Sequence, residues 1–100
     1  MRPVQPVVVD QSFWDQLDSL FPLDDDPTIS AHDFALLELS VVVDQLKENY
    51  AALTSTAFLV NARVRVFMLR PSFVFGRDVG IYCMEDEEGV VHLIHIELAI

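Results

Sequence analysis

Near Thr54, Ser55 and Thr56 the apolar residues of this chain change their spacing, and the change separates a helical block from a stranded one. Before it, Leu36, Leu39, Val43, Leu46, Tyr50 and Leu53 step by three and four, which predicts one apolar seam on a helix from about Ala31 to about Leu53. After it, Ala62, Val64, Val66 and Met68 alternate with Arg63, Arg65, Phe67 and Leu69. That alternation predicts a strand with one apolar face and one face carrying guanidiniums. Helical and stranded periods in separate blocks belong to an α+β fold.

The flanking segments complete the outline. Val7, Val8 and Val9 form a short β-branched strand that gives way at Ser12 to helical spacing, with Phe13, Leu17, Leu20 and Phe21 on one face. Ser12 with Asp15, and Ser30 with Asp33, read as capping boxes at the starts of two helices, and Pro22 stops the first. Asp24, Asp25, Asp26 and Pro27 make a solvated loop between them. A second stripe, Phe34, Leu37 and Val41, makes the first half of the long helix apolar over most of its circumference. That half must be buried from two sides, by the sheet and first helix or by another chain. Pro71 and Gly76 mark a turn, Val79 to Met84 a strand, Glu85 to Gly89 a hairpin loop and Val90 to Leu98 the last strand. The expected architecture is a single two-layer domain over residues 1–100. An N-terminal strand and two helices, the second long, pack on an antiparallel sheet that ends in a three-stranded meander.

Charge narrows the function classes. The formal net charge is −10, and Arg63 to Met84 is the one stretch where bases outnumber acids. Such a surface repels the phosphates of free nucleic acid and of anionic lipid and attracts basic proteins. Cys83 lies in an apolar run without a disulfide partner, so it is expected as a buried core residue in a reducing, cytoplasmic setting. Met1 to Pro6 do not make a signal peptide, and the apolar stretches fall short of the ~18 residues of a membrane span.

Two segments carry a family likeness. The first runs from Val7 to Leu20, an apolar strand, a polar turn and a helix with Phe13, Trp14, Leu17 and Leu20; the second runs from Gly80 to Ile94, a strand with Tyr82, an acidic turn ending at Gly89 and an apolar strand. Together they resemble the RelE/ParE superfamily of toxins from toxin–antitoxin modules. The resemblance implies a RelE/ParE-like fold and either ribosome-dependent cleavage of messenger RNA or inhibition of gyrase. Ribosome-directed members of that family are usually strongly basic, and this chain has the opposite sign. Gly80 stands where the family usually has an arginine, and Glu97 with Leu98 replaces a basic pair after the last strand.

Arg63, Arg65, Tyr82 and His95 are the set that could line one sheet face and handle an anionic substrate. The same residues read more readily as a solvated face whose arginines neutralise nearby acids. His92 shares parity with Val90, Ile94 and Ile96, and His92 and His95 should point to opposite faces. His32 sits at a helix start. No spacing of His, Cys and carboxylates makes a metal site, and no cofactor is implied. Two readings follow. In the first, the chain is a stoichiometric binder of a basic protein, an inhibitor, immunity or antitoxin-like component that imitates nucleic-acid charge. It would present Asp24, Asp25, Asp26, Glu85, Asp86, Glu87 and Glu88 with the stripe Phe34, Leu37 and Val41, a stripe that could also serve a homodimer. In the second, it is a RelE/ParE-like toxin working through Arg63, Arg65, Tyr82 and His95.

Overall fold

The computed structural model describes residues 4–23, 26–56 and 63–98. In chain order these form β1 (Val7–Val9), α1 (Gln11–Ser19), α2 (Ala31–Phe34), a π-helical turn (Ala35–Leu39), α3 (Ser40–Leu53), β2 (Ser55–Thr56), β3 (Val64–Ser72), β4 (Arg77–Glu85) and β5 (Val91–Leu98). The strands make one sheet in the order β1-β5-β4-β3-β2. The α+β class and the β3-β4-β5 meander are as the periodicity predicts. The sheet is mixed rather than antiparallel, because β1 runs parallel to β5, with the Val91 amide donating to the Pro6 carbonyl and the Asp10 amide to that of Leu93. The two-residue β2, which pairs with β3, escapes a periodicity argument because it is too short to show alternation.

All helices cover one face of the sheet. Phe13 and Leu17 of α1, and Phe34, Leu39, Val42, Leu46 and Tyr50 of the long helix, pack with Phe67, Val79, Ile81, Cys83, Val91, Leu93 and Ile96 in one core. At one end Phe75 stacks between Phe21 and Phe34, with ring centroids 5.1 and 5.2 Å apart. Ser30 caps α2 as expected: its hydroxyl accepts the Asp33 amide, and the Asp33 carboxylate accepts the Ser30 amide at 2.8 Å. Ser12 is not a cap. α1 begins two residues earlier than a Ser12 cap requires, with Asp10 at the N-cap position, and the Ser12 hydroxyl donates to the Ile94 carbonyl at 2.9 Å.

Two irregularities change which residues face the core. Along the long helix the buried row Phe34, Glu38, Val42, Leu46 and Tyr50 steps by four throughout. A regular helix rotates such a row by about 40° at each step. The wider π turn at Ala35–Leu39 and the non-helical Asn49 (φ −155°, ψ 50°) take up that drift. Leu36 and Leu53, expected on the buried seam, are consequently exposed. In β5, Tyr82 lies opposite His95 but Cys83 lies opposite Leu93, so Ile94 is an extra residue in the strand. The alternation restarts there: Val91 and Leu93 are buried before the bulge and Ile96 after it. His92 and His95 therefore share the helix-free face instead of opposing one another, and His92 does not share the core parity of Ile96.

Candidate protein-binding surface

Among the described residues, the long helix carries three large exposed apolar side chains close together in sequence. Phe34, expected on the partner-facing stripe, is fully buried, since four-residue stepping through the π turn turns it toward Phe75 and the sheet. Leu37 and Val41 stay outside, joined by Leu36, at 56%, 52% and 61% exposure. Of the three stripe positions, Leu37 and Val41 are thus exposed and Phe34 is not.

A second element is tied to the same helical turn. Glu38, between Leu37 and Leu39, is buried, and its carboxylate accepts the Phe73 amide at 3.1 Å and the Val74 amide at 3.3 Å. The Ser72 hydroxyl also donates to Glu38 and in turn accepts the Phe75 amide at 3.2 Å. An anionic carboxylate with only donors around it can stay buried without a counter-cation. The turn closes with the Gly76 amide on the Ser72 carbonyl, at 2.8 Å, and with Gly76 at φ +71°, where a side chain is strained. The whole arrangement holds Phe73 out from the surface at 66% exposure. Sequence reading passed over both residues. Glu38 had a visible signal, a lone acid four residues from Phe34 and four from Val42; Phe73 was hidden by its place between Pro71 and Gly76.

The acidic positions separate into free and committed ones. Asp24 and Asp25 lie outside the described residues. Asp26 accepts the amide and hydroxyl of Thr28 within its own turn. Glu85, Glu87 and Glu88 are exposed on the β4–β5 hairpin, with Gln5 bound to Glu85. Asp86 builds that hairpin: one oxygen accepts the Glu88 and Val90 amides at 2.8 and 3.0 Å, and the other meets His92 Nε2 at 2.8 Å. His92 Nδ1 lies 2.8 Å from Asp10 on its other side, so the ring joins the start of α1 to the hairpin. The Asp10 and Asp86 carboxylates raise the His92 pKa, and the His92 ring holds Asp86 below the usual carboxylate range.

The alternative catalytic set does not assemble. Arg65 stands opposite Cys83 on the helix-covered face, where its Nε donates to Thr54 Oγ1 at 2.6 Å and its Nη2 to the Ala51 and Thr54 carbonyls at 3.1 and 2.6 Å. It caps the end of α3. Arg63 joins Arg65, Tyr50, Glu85 and Asp86 around a hollow of about 250 Å³ at that end. Tyr82 and His95 lie on the other face, ring centroids 5.5 Å apart, with the Tyr82 hydroxyl donating to Glu97 at 3.1 Å. Cys83 is fully buried, and burial pushes its thiol up to about 12, as befits a core residue. Among the described residues no helix is long and apolar enough to cross a membrane. Set against family models, curated proteins and solved structures, the chain matches none of them.

Proposed function

We propose that this chain is a stoichiometric protein-binding protein that occupies a basic partner, in the manner of an inhibitor, immunity or antitoxin-like component. One observation carries the reading: Leu36, Leu37, Val41 and Phe73 stand exposed on, or tied to, neighbouring turns of one helix in a chain whose net charge is −10. Large apolar side chains on a rigid, hydrogen-bonded support are the anchors of protein interfaces, and surrounding acids select basic partners and speed encounter. The Glu38 carboxylate fixes Phe73 without itself being available to a ligand, which is what a scaffold for an anchor requires.

The RelE/ParE-like toxin reading would have to run on Tyr82 and His95 without Arg65, whose guanidinium is committed to the α3 terminus. Native mass spectrometry of affinity-purified complexes tests the first reading. A one-to-one complex with a basic protein, lost in the L37D/F73D variant while the variant keeps its thermal stability, is the expected result. Translation arrest by the purified chain that vanishes on His95→Ala would replace it with the toxin reading.

A further inference from the structure

The solvent face of the long helix is divided into two blocks. Leu36, Leu37 and Val41 with the small Ser40 occupy its first turns, and Asp44, Gln45 and Glu48 its later ones. Lys47 lies half-buried on the flank toward β1, its carbonyl accepting the Gln5 amide at 2.9 Å. From Leu37 to Glu48 the face extends about 16 Å at 1.5 Å per residue. The face begins inside the π turn at Ala35–Leu39, and from Ser40 the helix is regular as far as Asn49.

We propose that the partner contributes to this face one amphipathic helix with segregated blocks, aliphatic side chains over Leu36, Leu37, Val41 and the Phe73 turn, and Lys or Arg over Asp44 and Glu48. The inference rests on the protein-binding reading and specifies its occupant. A strand cannot add here, because the backbone groups of a helix are already paired within it. A helix can: side chains three and four apart form ridges that fit beside the Leu37–Val41 row, and Ser40 leaves room for a knob between that row and Leu36. The basic block follows from charge, since Asp44 and Glu48 are exposed acids at the far end of that face.

A second copy of the chain is a poor occupant by the same geometry. Antiparallel two-fold pairing that overlaps the whole face lays Asp44 and Glu48 over the leucines of the other copy, and parallel pairing lays acid on acid. Either arrangement also brings together two chains of net charge −10.

The test uses two synthetic helical peptides of about 18 residues and identical composition, long enough to cover the face. One has its leucines and lysines in separate halves of a single face; the other interleaves them along that face. Fluorescence anisotropy against the full chain should show the segregated peptide binding about three- to tenfold more tightly at low salt, with the advantage lost in D44N/E48Q. L37A/V41A should weaken both peptides. Equal binding of the two peptides that still depends on Leu37 and Val41 overturns the segregated-block inference and leaves the binding surface standing. Binding insensitive to L37A/V41A, or none at all, overturns both. A dimer of the chain alone in sedimentation velocity, abolished by L37A/V41A, would give the face to a second copy and overturn the proposal.

Discussion

The carboxylate of Glu38 accepts the backbone amide of Phe73 at 3.1 Å, joining the π-helical turn to the β3–β4 turn. Both ends of that bond sit where regular structure is interrupted, and both carry exposed apolar side chains beside them. Glu38→Gln keeps the size but puts an amide NH2 where the carboxylate accepted from the Ser72 hydroxyl and the Phe73 and Val74 amides. The expected loss is about 1–3 kcal/mol, the range for leaving buried donors unpaired. Urea denaturation measures it, and hydrogen exchange should show the amides of Phe73 and Val74 losing protection ahead of the rest of the sheet.

Phe34 and Leu37 belong to one stripe by sequence and to opposite environments in the fold. Phe34→Ala is expected to destabilise by about 3–5 kcal/mol, because it empties a fully buried site against Phe75. Leu37→Ala and Phe73→Ala should stay within about 0.5 kcal/mol of the parent, as exposed positions do. Thermal melts of the three variants separate core from surface directly. A large loss at Phe73 would mean that the side chain supports the fold rather than offering a contact.

The elements were legible in the sequence because each depends on local periodicity, and their facing was not, because each irregularity shifts the period by one residue. The helix from Ala31 to Leu53, the Ser30 capping box and the three-stranded ending all follow from neighbouring residues. The π turn and the extra Ile94 do not. Each relieves a mismatch between a local repeat and the sheet it must cover or join, so it is set by contacts far along the chain. Leu36, Phe34 and His92 were misplaced for that reason. The parallel pairing of β1 with β5 is likewise a matter of topology that a three-residue valine run cannot encode. Of the candidate surface, Leu37 and Val41 were legible as surplus apolar residues, whereas Phe73 needed the turn geometry.

Arg65 was drawn from sequence as a phosphate-binding candidate and serves instead as a helix terminator. Its forked guanidinium satisfies the Thr54 hydroxyl and two carbonyls at the end of α3. Arg65→Ala is expected to cost about 1–3 kcal/mol, from lost charge-assisted bonds and a cation at a helix C-terminus. Arg65→Lys should recover less than half of it, since a single ammonium cannot reproduce the fork. Chemical denaturation of the two variants provides the check, and full recovery by lysine would show that charge alone matters there.

The last prediction concerns pH. His92 has a carboxylate 2.8 Å from each ring nitrogen, Asp10 on one side and Asp86 on the other, and the ring can donate to both only as an imidazolium. Its pKa is therefore raised above the ordinary 6.5. A group whose pKa is raised on folding stabilises the fold in full below its unfolded value, and the contribution disappears as pH rises through the folded value. Asp86 acts in the other direction: its pKa is lowered from 3.8, so its contribution is present above that value and is lost as pH falls through the folded one. The clamp is then complete between the two windows, in mildly acidic solution. Thermal melts should show stability declining as pH rises from about 6.5, with His92→Gln removing that slope. An NMR titration of the His92 ring with a midpoint at or below the ordinary histidine value would sink the prediction, because the two carboxylates could not then be holding the charged ring.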